Sequence, residues 1–264
     1  MSHTFARVPR LEGPVPPESP GVVVFPGAGS FGGELLPLLS ELGPTAWLAR
    51  YPGRFGKDLG RPAGSFEDIV QSCVAQVTRR QSVRPILVGH SFGAYVARAT
   101  ATRLEELGTG VCALVVVGAT APGLLTVPES ATRSPSGTAA YFDEIDPGLV
   151  PGEVSDEWRD IVLETAMQDL RLLKDFTATA SEYTEVHCPV FAARGEADPL
   201  ASADGIGRWA GVTSADCVQR VFPGSHSGVL RSPEFTSWLV DVCATAPQTS
   251  SGPLGSAMPT ADNL

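Results

Sequence analysis

The chain has 264 residues, 43% of them hydrophobic and 18% charged, enough to bury one ordinary globular core. Nineteen Lys and Arg against 29 Asp and Glu give a net charge of −10, with no basic run, which argues against nucleic acid as a partner. The five cysteines (Cys73, Cys112, Cys188, Cys217, Cys243) are scattered and contain no CxxC pair, so they read as reduced thiols, neither a disulfide framework nor a zinc site.

Residues 1–20 hold five prolines and lack the apolar core of a signal peptide, so an extended lead-in is expected there. No stretch reaches the roughly 18 apolar residues of a membrane span. A cytoplasmic monomer without membrane partners is the expectation. Short apolar runs then alternate with helical patterns. Strands are predicted at Gly21–Phe25, Ala46–Tyr51, Pro85–Gly89, Ala113–Gly118, Pro189–Ala193 and Cys217–Phe222. Continuous apolar runs of this length mark strands buried on both faces. Helices are predicted at Ser65–Arg80, Phe92–Leu107 and Pro233–Ala244. The alternation implies an α/β domain over residues 21–245, a mostly parallel central sheet with helices on both faces. Residues 121–183 carry no strand signal but do carry helical patterns at Asp156–Thr165 and Gln168–Ala180. A connection so long is read as a helical lid insertion over the sheet's C-terminal edge. The Ser-, Gly- and Pro-rich tail, residues 246–264, is expected to be disordered.

The sharpest signal is Gly89-His90-Ser91-Phe92-Gly93, which follows a buried strand and opens a helix. A GxSxG pentapeptide in that context is a nucleophile elbow: the turn is so tight that side chains at both flanking positions would clash. Ser91 is therefore the candidate nucleophile, and it needs a base to take its proton. Of the four histidines, His3 lies in the lead-in, His90 points away inside the elbow, and His187 precedes a strand at the wrong edge. His226, in FPGSHSG beyond the last strand, lies at the C-terminal edge where open α/β sheets place their ligands. Asp198, in GEADP after the preceding strand, is favoured as the orienting acid over Glu196 and Asp204. That order, Ser…Asp…His, is the one of the α/β-hydrolase fold. The two backbone N–H groups of an oxyanion hole are expected from Phe92 and from Ala28 in the small-residue loop FPGAGSF. Gly27, Gly29 and Gly32 have the GxGxxG spacing of a dinucleotide site, but the later acidic residue of such a site does not fit, so none is expected here.

FPGAGSF, RYPGRFG, GHSFGA, GEADPL and VFPGSHSG, together with LETAMQDLRLLKDFT within the presumed lid, resemble the type II thioesterases of polyketide and nonribosomal peptide pathways over roughly Val22 to Leu239. The resemblance implies a thioesterase that hydrolyses acyl groups from the phosphopantetheine arm of acyl or peptidyl carrier proteins, removing aberrant or stalled units or releasing product. It implies Ser91, Asp198 and His226 as the triad, Ala28 and Phe92 as oxyanion donors, and no cofactor, since the pantetheine arm belongs to the substrate. Two positions depart from the family pattern: Gly27 stands where His is usual, and Phe92 where Met is usual. A general carboxylesterase, an acyltransferase and a non-catalytic binding protein of the same fold stay open as alternatives.

Overall fold

The computed structural model describes residues 20–80, 84–150 and 154–246; the expected lead-in and tail fall, but for residues 20 and 246, outside them. Among the described residues six strands form one sheet: β1 (Val22–Phe25), β2 (Ala46–Leu48), β3 (Ile86–His90), β4 (Ala113–Val117), β5 (Val190–Gly195) and β6 (Cys217–Phe222). Their order is β2-β1-β3-β4-β5-β6, and every pairing is parallel. The mostly parallel α/β sheet with helices on both faces, expected from the strand–helix alternation, is thus the observed one.

Around the sheet run α1 (Leu36–Glu41), α2 (Phe66–Arg79), α3 (Phe92–Glu106), α4 (Glu129–Arg133), α5 (Pro135–Ile145), α6 (Asp156–Thr179), α7 (Ala203–Gly207) and α8 (Pro233–Thr245). The period of two along each strand divides the interior. Val23, Phe25, Leu87, Leu114 and Val116 join one core cluster with α2, α3 and α6. Val22, Val24, Ile86, Val88 and Val115 join the other with α1 and α8. Both faces are covered, which is why the strands read as unbroken apolar runs.

Beyond shifts of one or two residues at other element ends, two features differ from the sequence reading. β2 ends at Leu48, not Tyr51. The Gln76 side chain takes over the backbone of Arg50, accepting from its N–H at 3.0 Å and donating to its carbonyl at 2.8 Å, so the chain leaves the ladder there. In the connection between β4 and β5, the two helical patterns form a single 24-residue helix, α6. Ala166 and Met167 at the presumed break are good helix formers, and nothing between them interrupts the ladder. At about 1.5 Å per residue α6 runs roughly 36 Å, and it packs against α2, α3, α4 and α5. Among the described residues no helix is long and apolar enough to cross a membrane.

Candidate active site

Ser91 stands between β3 and α3 with φ 52° and ψ −120°, a backbone conformation that costs a non-glycine residue of the order of 1–3 kcal/mol. The surroundings impose it. A Cβ at Gly89 would lie 2.3 Å from the Gly93 carbonyl oxygen, and a Cβ at Gly93 would lie 2.2 Å from that of Phe25. Only glycine lets strand, helix and the loop after β1 meet at this point. The Ser91 N–H donates to the Val117 carbonyl at 2.8 Å, extending the β3–β4 ladder up to the turn.

His226 and Asp198 are brought together from loops 28 residues apart. His226 Nδ1 is 3.0 Å from Asp198 Oδ2, and the side chains are 2% and 0% exposed. Asp198 Oδ1 accepts from the N–H groups of Leu200 at 2.9 Å and Ala201 at 3.4 Å. Burial alone would raise the carboxyl pKa; the hydrogen bond and charge of His226, with those two N–H groups, bring it below the ordinary value. The other two acids considered, Glu196 and Asp204, are exposed, and Asp204 pairs with Arg208. Gly118 after β4 makes room for the pair, since a Cβ there would stand 3.1 Å from Asp198 Oδ2 and 3.2 Å from His226 Nδ1.

His90 faces inward and its ring Nε2 lies 2.9 Å from the His226 carbonyl oxygen, so the tautomer carrying a proton on Nε2 donates there. Burial, then the neighbouring His226, pushes its pKa down to about 3, against the opposing pull of Asp198 and Asp146. An unfolded histidine titrates near 6.5, so on acidification the unfolded chain gains a proton that the fold refuses. The contribution is fully present above pH 6.5 and is lost as pH falls. Between pH 7 and pH 5 it amounts to roughly 2 kcal/mol. A His90→Gln variant should lose about that much less stability over the same interval in urea titrations. Equal acid slopes for both proteins would mean that His90 is protonated in the fold. His187, at the far end of β5, is exposed and pairs with Glu105.

Ser91, His226, Ala28 and Phe92 all line one cavity of about 650 Å³ at the C-terminal edge of the sheet, within the range of small-molecule sites. Its roof comes from the β4–β5 connection, through Leu125, Val127, Tyr141, Phe142, Leu170 and Leu173. α6 therefore divides its apolar residues: Leu170 and Leu173 face the cavity, while Phe176 packs into the core against Phe66 with ring centroids 4.3 Å apart.

The thioesterase-domain family matches residues 20–240 of this chain, nearly all of the sheet and its helices. The chain belongs to that family. A probable cadicidin biosynthesis thioesterase of Streptomyces griseus is 28% identical over 233 residues, which are 84% of this chain but 62% of that protein, so the chain spans less than two thirds of its length. Thioesterase PikA5 of Streptomyces venezuelae is 28% identical over 229 residues, 81% of this chain and 76% of that one. The solved type II thioesterase BorB from the borrelidin biosynthetic cluster superposes with a TM-score of 0.72 at 23% identity, covering 88% of this chain and 94% of BorB; that likeness speaks for the fold.

This thioesterase-family chain holds its cavity together with two buried carboxylates of the β4–β5 connection that the sequence reading did not single out. Asp169 on α6 accepts from the Gly29 N–H at 2.7 Å and pairs with Arg54, which also donates to the Ser30 carbonyl. Burial pushes the Asp169 carboxyl above its ordinary pKa, opposed by Arg54 and the Gly29 N–H. Arg54 lies over the Tyr51 ring at 4.5 Å, and the Tyr51 hydroxyl donates to the Pro26 carbonyl at 3.1 Å. Tyr51 and Arg54 of RYPGRFG and Asp169 of α6 thus all bond to the backbone of FPGAGSF. One sequence signal pointed to Asp169: it sits on the apolar stripe of α6, three residues after Ala166 and four before Leu173. Asp146, after α5, gave no such signal, because an Asp-Pro-Gly stretch reads as an ordinary turn.

Proposed function

We propose that this protein is a type II thioesterase that hydrolyses acyl groups from the phosphopantetheine arm of acyl or peptidyl carrier proteins, clearing aberrant or stalled units. The observation that carries the reading is His226, paired with the buried Asp198 and lining with Ser91 an apolar cavity in a thioesterase-family domain. The name of one relative, a probable cadicidin biosynthesis thioesterase, supports the substrate class.

In the proposed mechanism His226 takes the Ser91 proton and the serine oxygen attacks the thioester carbonyl. The N–H groups of Ala28 and Phe92 receive the developing oxyanion. Phe92 is the first residue of α3, where an N–H has no partner within the helix. The Gly29 N–H is engaged by Asp169, which leaves its neighbour Ala28 as the chosen donor of the first loop. The C–S bond breaks, the thiol leaves with the proton from His226, and an acyl ester on Ser91 remains. Water, deprotonated by the same histidine, releases the carboxylic acid. Asp198 accepts the imidazole N–H, fixes the tautomer and stabilises the imidazolium. Every group in this sequence is a side chain, a backbone N–H or water; the pantetheine arm enters as substrate. A cytoplasmic monomer serving carrier domains completes the reading.

The test is turnover of a panel of acyl-carrier-protein thioesters, followed as free thiol and by intact mass. Release of free acid across short and medium acyl chains is expected. Turnover of simple oxygen esters without thioesters would make the protein a general carboxylesterase, and product appearing only with an added amine or alcohol would make it an acyltransferase.

A further inference from the structure

The base of a triad works only if its ring is aimed, and a histidine in a loop has no secondary structure to aim it. His226 lies between the end of β6 and the short turn Gly228–Arg231. Among the bonds that hold this stretch, three attachments act at His226 or its immediate neighbours. Asp198 takes the ring Nδ1, and His90 takes the backbone carbonyl of His226. The third attachment comes from the β4–β5 connection. Asp146 Oδ2 accepts from Ser225 Oγ at 2.6 Å, from the Ser227 N–H at 2.9 Å and from Ser227 Oγ at 2.7 Å. Its other oxygen accepts from the Gly148 N–H at 3.0 Å.

One carboxylate oxygen therefore grips the residues on both sides of His226, across 79 and 81 positions of sequence. Asp146 is 8% exposed. Its donors outweigh burial and hold it ionised, well below the ordinary carboxylate range. Its own backbone is fixed as well, the N–H on the Phe142 carbonyl at 2.8 Å and the carbonyl on the Leu149 N–H at 2.9 Å. Ser225 Oγ also accepts from the Gly228 N–H at 3.1 Å, which closes the loop beyond the histidine. Charge-assisted bonds to an ionised acceptor are about twice as strong as neutral ones.

We propose that Asp146 is a positioning residue for the base: by gripping Ser225 and Ser227 it holds the loop that aims His226 at Ser91, so that the lid is docked and the base is aligned by the same contact. The inference rests on the assignment of Ser91, Asp198 and His226 above and deepens it. Asp146 touches no reacting atom; it acts through the His226 loop.

The experiment compares Asp146→Asn with the double variant Ser225→Ala/Ser227→Ala, which removes two of the three loop donors while leaving the lid residue intact. An asparagine offers one acceptor oxygen where the aspartate offers two, so either the loop or the Gly148 N–H is left facing an amide NH₂. Hydrolysis of a short-chain acyl thioester is measured well below the melting temperature and expressed per Ser91 site, counted by fluorophosphonate labelling. Misalignment by about 1 Å costs as much as 100-fold in rate. The expected result is a kcat reduced about ten- to 100-fold in Asp146→Asn and at least about fivefold in the double variant, with KM changed by less than about threefold. Should Asp146→Asn fail to fold, the double variant carries the test by itself. A kcat per site equal to wild type, with only the melting temperature lowered, overturns the proposal, as does a loss confined to KM. Wild-type activity that survives Ser91→Ala brings down the underlying triad; activity that needs Ser91 but ignores both variants brings down this inference alone.

Discussion

Ser91→Ala is expected to reduce kcat/KM for acyl thioesters by at least about 10⁴-fold, the scale seen when a serine–histidine unit loses its nucleophile. The loss is chemical because alanine keeps the shape of the turn. It inherits the same φ of 52°, the ladder bond to Val117 and the glycine contacts on either side. Stability should therefore stay within about 1 kcal/mol of wild type. Ser91→Gly sharpens the comparison. Glycine accepts that φ without strain, so it should be as inactive as Ala while unfolding at a higher denaturant concentration, by about 1 kcal/mol after its extra chain entropy is counted. Urea titrations beside thiol-release assays read both quantities. Hydrolysis above a hundredth of wild type in Ser91→Ala would remove the covalent mechanism.

The second large effect is on the fold. Arg54 and Asp169 are 2% and 7% exposed, and each keeps the other's charge compensated. Removing one leaves an unpaired buried charge, so Asp169→Ala and Arg54→Ala should each cost about 3–5 kcal/mol. Apolar replacement of both, Arg54→Met with Asp169→Leu, should recover much of that loss, because desolvating the pair offsets most of its attraction. Activity should not recover in parallel. Without Asp169 the Gly29 N–H loses its acceptor, and the loop carrying Ala28 loses its tie to α6. Denaturant midpoints for the two single variants and the double complete the cycle. Single variants as stable as wild type would mean that water reaches the pair.

The elbow was legible because all its determinants are local. An apolar strand, two glycines around Ser91 and an Ala-rich helix stand within twenty residues, and each glycine answers to a contact made by the turn itself. Asp198 was harder. Three acids lie in one short stretch, and what distinguishes Asp198, its burial against His226, is a contact across 28 residues. The lid carboxylates lay further out of reach: Asp146 meets the His226 loop across 81 residues, and Asp169 meets Arg54 across 115.

By itself the sequence determined the alternation of strands and helices, since hydrophobic period and turn residues act over a few positions. It determined the six parallel strands, the elbow and the strand-end loops that carry Asp198 and His226. Only the tertiary structure decided that α6 is continuous, that Leu170 and Leu173 face the cavity while Phe176 faces the core, and that two acids of the β4–β5 connection hold the loops around Ser91 and His226. Those outcomes depend on which buried donor finds which carboxylate once the lid is docked on the sheet. A buried charge declares its partner only in three dimensions, because the need to compensate it is set by desolvation, which a stretch of sequence does not record.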